Sequence, residues 1–138
     1  MVSLQVPAGY WCGELEGDSI LQSEYILLKY IVEQEDDPRL PRIGNYLRRQ
    51  QRESDGAWIQ YPGAKPDLSA TVKAYFALKL LGDDIHASHM KKARELVRSL
   101  GGAERCNTYS KFYLAALGQM HYDSLPAIPP EIVLLPRW

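Results

Sequence analysis

One short phrase occurs twice in this chain, and it narrows the folds open to it. Gln51-Arg52-Glu53-Ser54-Asp55-Gly56-Ala57-Trp58 reads Gln, four residues, Gly, one residue, Trp; Gln5-Val6-Pro7-Ala8-Gly9-Tyr10-Trp11 reads Gln, three residues, Gly, one residue, Trp. The two Gln positions lie 46 residues apart, inside the period range of helical repeat proteins. Each part of the phrase has a physical use. Gln bridges the end of one helix, Gly permits the turn that follows, and Trp packs its ring while its N–H needs an acceptor. One copy arises easily by chance; a second near a repeat length points to architecture.

Composition sets the outer bounds. A chain of 138 residues suffices for one domain, and 46% hydrophobic with 24% charged residues is ordinary globular usage. A formal net charge of −1 supplies no basic field for nucleic acid, so no nucleic-acid partner is expected. Cys12 and Cys106 fit no metal spacing and make no disulfide framework, which suits reduced thiols in a cytosolic setting. No basic leader precedes an apolar run at the N-terminus, and no apolar stretch approaches the ~20 residues that span a bilayer. Peripheral membrane contact stays open. Nine Tyr and three Trp against two Phe favour aromatics with a polar handle, suited to helix junctions and pocket walls.

The hydrophobic spacing predicts five helices and no strand. Residues 1–19 are rich in Gly, acids and turn residues and read as irregular. A first helix opens near Ser19 and runs to about Gln34, with Tyr25, Leu28, Ile31 and Val32 on its apolar face. Asp37 and Pro38 suit the N-cap and first turn of a second helix running to about Gln51, with Leu40, Ile43, Tyr46 and Leu47 in one stripe and arginines opposite. Residues 52–66 carry turn signals. A third helix spans Leu68 to Leu81 after Asp67 or Ser69 and stops at Gly82 in the C′ position; it is apolar on nearly two faces, which predicts an inner place. A fourth runs from about Ser88 to Leu100, with Met90, Ala93, Leu96 and Val97 on one side. A fifth runs from about Asn107 to Gln119, with Tyr109, Phe112, Tyr113, Ala116 and Leu117 inward. The proline-rich tail with Ile132-Val133-Leu134-Leu135 looks unfinished. The fold class expected is all-α, in helix pairs.

Several ordered stretches carry a family resemblance across essentially the whole chain. They are Gly9-Tyr10-Trp11, Ser23 to Leu28, Gln51 to Trp58, Tyr61-Pro62-Gly63, the run Asp67 to Lys79, Gly101 to Arg105, and Pro129 to Pro136. Together they resemble the N-terminal part of a squalene–hopene cyclase, of the bacterial triterpene cyclase family. The resemblance implies a toroid of two α/α-barrels around an apolar cavity, with residues 1–18 crossing from the acid-bearing barrel and 19–138 forming the first part of the inserted barrel, incomplete in this chain. It implies an apolar polyene substrate, squalene, cyclised to hopanoid triterpenes by a cascade that a proton starts. Aromatic rings stabilise the passing cations by about 2 kcal/mol when desolvated. No cofactor is implied. The expected partners are the substrate and the remainder of the cyclase chain or a second barrel; the expected place is the bacterial cytoplasm or the inner face of the cytoplasmic membrane. The family's Asp-x-Asp-Asp acid is absent here, since Asp36-Asp37 and Asp83-Asp84 lack the third Asp and suit solvated capping at helix boundaries. The chain therefore reads as a segment supplying cavity wall and scaffold. The alternative is a truncated, non-catalytic helical module that binds an apolar lipid or a partner.

By the same resemblance Glu24 matches a glutamate of a hydrogen-bonded water network near the end of the cavity where the final cation loses its proton. Read by itself, it is a partly exposed glutamate favoured by the N-terminal helix dipole. Lys73 and Asn107 stand where related cyclases carry an acid and an arginine. Lys73 either pairs with Glu24, reversing the charge pattern, or is a solvated lysine. Trp11 and Trp58 read as packing anchors, and Tyr61, Tyr75 and Phe76 as either cavity wall or core. His86, His89 and His121 have no ligand spacing with Cys or acids, and Arg48, Arg49 and Arg52 read as a solvated basic face at the end of the second helix.

Overall fold

A computed structural model describes residues 5–12 and 17–127. It is all-helical among those residues. The order is α1 (Ile20–Ile31), α2 (Leu40–Gln50), α3 (Leu68–Leu80), α4 (Ser88–Ser99) and α5 (Thr108–Ala116), with single 3-10 turns at Ala103–Arg105 and Tyr122–Ser124. The tail with Ile132 to Leu135 lies outside the described residues.

Helix α3 is the centre. Ala70, Thr71, Val72, Lys73, Ala74, Phe76, Ala77 and Leu78 are all buried, and α1, α2, α4 and α5 each pack against it. The run of small residues among large apolar ones lets neighbours approach from several sides at once, as expected of a helix without a solvent face. Asp67 starts it, its Oδ1 accepting the Ala70 N–H at 2.7 Å. Gly82, at φ +93°, ends it: its N–H donates to Lys79 O and the Asp83 N–H to Leu78 O, which satisfies two otherwise unpaired carbonyls.

Two buried faces differ from the periodic reading. On α1 the buried residues are Ser23, Ile26 and Leu27, while Leu28 and Val32 are exposed. The helix is apolar on both sides, so spacing alone fits two faces. Ser23 tolerates burial because its hydroxyl donates to Ser19 O at 2.5 Å. On α5 the buried residues are Ser110, Leu114 and Ala115, and Tyr109 and Phe112 face outward. The boundaries also shift. α1 closes at Ile31 because Glu33 adopts a left-handed φ of +54°, and α5 closes at Ala116 ahead of Gly118. α2 starts at Leu40 rather than Pro38, since Asp37 first closes a separate turn by accepting the Arg39 and Leu40 N–H groups.

The repeated phrase builds the same bond twice. Gln51 Nε2 donates to Gly56 O at 2.9 Å, and Gln5 Nε2 donates to Gly9 O at 2.7 Å; both glycines have positive φ. The Trp residues then part company. Trp58 is fully buried, its ring in the core and its Nε1–H on Leu47 O at 2.9 Å, so it anchors the end of α2. Trp11, by contrast, is 56% exposed.

Candidate functional site

The seam between α1 and α3 holds a buried cation. Lys73 projects from the central helix with 3% of its side chain open to solvent, and its Nζ lies 2.5 Å from Glu24 Oε1 on α1. An ammonium in such a place is costly without a partner, and the carboxylate supplies one. Glu24 keeps 24% of its side chain open, so the pair is closed on the lysine side and accessible on the carboxylate side. Tyr113 of α5 sits within the same field: burial, and then the Glu24 charge, push its phenol above the usual range and keep it protonated.

Asn107 takes a different post. Its Oδ1 accepts the Ser110 N–H at 2.9 Å and so caps α5, while its own backbone N–H donates to Ser69 Oγ at 3.0 Å. Ser69 lies one turn before Lys73 on α3, which places Asn107 beside the pair without a bond to it. The structure therefore joins Glu24 to Lys73 and leaves the Asn107 amide oxygen engaged in capping. Tyr113, read from spacing only as an inward residue, is the neighbour that the sequence did not disclose as part of this cluster.

A second feature is an apolar cleft of about 430 Å³ between α3, α4 and α5. Val72, Tyr75, Phe76 and Leu114 are among its lining residues. Arg94 borders it with a buried Nε that has no hydrogen-bond partner among the described residues. Of the aromatics read as wall or core, Tyr75 and Phe76 line this cleft, whereas Tyr61 stands exposed on the loop before α3.

The charged residues at helix boundaries are more engaged than solvated capping requires. Asp83 has 6% of its side chain open; burial pushes its carboxyl up, but hydrogen bonds from Arg48 and then His89 outweigh that and lower it. His89 Nε2 lies 2.8 Å from Asp83 Oδ2. Asp37 joins Arg39, Tyr25 and Lys29, and the Arg39 guanidinium foremost holds its carboxyl far below the usual carboxylate range. Arg52 pairs with Asp55. The reading of Arg48 and Arg52 as a solvated face is thus corrected, as is that of Asp37 and Asp83 as solvated caps; Asp84 closes the turn before α4, accepting the His86 N–H at 2.8 Å. No group of three or more His, Cys, Asp or Glu among the described residues could hold a metal ion.

The family model described as the squalene–hopene cyclase N-terminal domain matches residues 1–138. The chain belongs to the squalene–hopene cyclase family. It is 48% identical over 131 residues to a probable squalene–hopene cyclase of Sinorhizobium fredii, covering 94% of this chain and 20% of that one. To the squalene–hopene cyclase of Alicyclobacillus acidocaldarius it is 38% identical over 135 residues, 98% of this chain and 21% of the relative. A dammaradiene synthase of Dryopteris crassirhizoma is 35% identical over 138 residues, 100% of this chain and 20% of the relative. The chain thus spans about a fifth of the length of these relatives. The likeness also runs to proteins named for different products, so family membership by itself does not fix a product.

Proposed function

We propose that this chain forms part of the wall and scaffold of an enzyme that cyclises squalene to hopanoid triterpenes through a proton-initiated carbocation cascade. The observation that carries the reading is the Glu24–Lys73 pair: a carboxylate left accessible at the seam of two packed helices, backed by a buried ammonium, in a chain that matches the family from end to end. Glu24 would hold water or receive a proton at the end of the cascade, and Lys73 would fix its position. Tyr75 and Phe76 offer π faces of the kind that stabilise passing cations. The initiating acid would come from outside these residues, since the chain has no Asp-x-Asp-Asp. The same reading assigns residues 1–18 to a segment crossing from the acid-bearing barrel and 19–138 to the inserted one. It places the enzyme in the bacterial cytoplasm or on the inner face of the cytoplasmic membrane.

The test joins residues 1–138 to the remaining four-fifths of the Sinorhizobium fredii relative and supplies squalene, with products read by gas chromatography and mass spectrometry. Conversion to pentacyclic triterpene is expected, and Glu24→Gln should alter the ratio of deprotonated to water-captured product while squalene is still consumed. A folded chimera that leaves squalene untouched would favour a non-catalytic lipid- or partner-binding module instead.

A further inference from the structure

A second polar site lies on the far side of α3, where α2 ends and α4 begins. Arg48, Arg49 and Arg52 leave the end of α2 and, with His89 and Lys92 of α4, line a cleft of about 550 Å³. Its walls are fixed to each other. Gln51 Nε2 donates to His89 O at 2.9 Å as well as to Gly56 O, so the repeated phrase straps α2 to the first turn of α4. Gly56 presses so close to α4 that an added Cβ would lie 2.6 Å from Lys92 Cβ and 2.8 Å from Ala93 N.

The cations divide into held and unspent. Asp83 holds Arg48, its Oδ2 3.0 Å from Arg48 Nε. Asp55 holds Arg52 through two N–H groups, and a third N–H of Arg52 donates to Ala64 O at 3.0 Å. Arg49 and Lys92 have no carboxylate within ion-pairing distance among the described residues; Lys92 Nζ donates only to Glu53 O, at 2.9 Å. Against Arg48, Arg49, Arg52 and Lys92 stand Asp55, Asp83 and the rim residue Glu53, so one positive charge remains over and His89 adds another when protonated. A concave surface with a guanidinium fork and an ammonium that have no carboxylate partner, and two immobilised guanidinium groups behind them, matches a tetrahedral oxyanion better than a solvated face requires.

We propose that this cleft binds a phosphate group, carried either by free phosphate or by an anionic lipid headgroup. Arg49 and Lys92 make the direct contacts, and Arg48 and Arg52 supply the fixed field behind. The small excess of charge implies weak, salt-sensitive binding.

Equilibrium dialysis of the 138-residue chain against radiolabelled inorganic phosphate at fixed ionic strength tests this directly. Saturable uptake is expected, weakened about tenfold by Arg49→Ala and by Lys92→Ala, the loss of one charge-assisted contact in each case; both residues are exposed, and circular dichroism verifies that each variant folds. Co-sedimentation with phosphatidylglycerol and with phosphatidylcholine vesicles separates the sources. A preference for phosphatidylglycerol that Arg49→Ala abolishes identifies a headgroup, and phosphate uptake without that preference identifies the free anion. Neither saturable uptake nor vesicle preference, or binding unchanged in both variants, would overturn the proposal.

Discussion

At the scale of single residues, the Glu24–Lys73 pair shows what a sequence discloses and what it withholds. Both positions were legible through family likeness, but the sequence left pairing and solvation equally open for Lys73; its 2% exposure at the middle of α3 is a product of packing by helices far apart in the chain. Removing the partner should expose the imbalance: Glu24→Gln is expected to cost about 2 kcal/mol in urea unfolding, less than a fully buried pair because Glu24 is partly solvated. Replacing both members, Glu24→Leu with Lys73→Met, should return stability to within about 1 kcal/mol of the parent. The lowered carboxyls make a separate prediction. Asp37, Asp55 and Asp83 titrate below their ordinary value near 3.8, Asp37 and Asp55 chiefly through arginine hydrogen bonds, Asp83 through Arg48 and His89 against the pull of burial. A lowered folded-state value means stabilisation that is complete above the unfolded value and lost as pH falls. Urea midpoints should therefore hold steady above about pH 5 and drop below about pH 4, with a shallower drop in Asp37→Asn.

At the scale of elements, helix ends were easier to read than helix faces. Gly82 and Gly101 each stand just beyond a helix, each at positive φ and with the paired backbone bonds of a left-handed closure; Gly118 closes α5 in the same way, although the spacing carried that helix on to Gln119. The signal is local chemistry, so the sequence carries it. α1 closes in the same way without a glycine: the Glu33 N–H donates to Tyr30 O and the Gln34 N–H to Lys29 O, with Glu33 in the left-handed region. That was not legible, because nothing in the residue type announces it. Glu33→Gly should relieve the conformation and raise stability by up to about 1 kcal/mol, read as a higher melting temperature, whereas Gly82→Ala should lower it by about as much. The inward faces of α1 and α5 escaped for the opposite reason. Tyr109 and Phe112 have the spacing of a core stripe, and which stripe is buried depends on where α3 lies rather than on the stripe itself.

For the whole molecule, the outward apolar residues are the informative ones. Leu21 and Leu28 on α1, Val32 just beyond it, and Tyr109 and Phe112 on α5 are exposed, a set of large apolar side chains suited to contact with other helices. Residues 1–138 prepared alone should bind a hydrophobic dye and sediment as an oligomer; a monomer that melts cooperatively and leaves the dye dark would contradict this. On the proposed reading, the same preparation should yield no cyclised product from squalene above a protein-free control, because the chain carries no Asp-x-Asp-Asp. A hydrogen bond between α1 and the end of α3 bears on the order in which the chain can fold. The Tyr30 hydroxyl donates to Leu80 O at 2.7 Å, across 50 positions of sequence. A ribosome adds those residues in roughly 3–10 s. Until α3 has been made, Ile26 and Leu27 lack the helix they pack against. Burial of the inner face of the first helix therefore waits on the synthesis of the third.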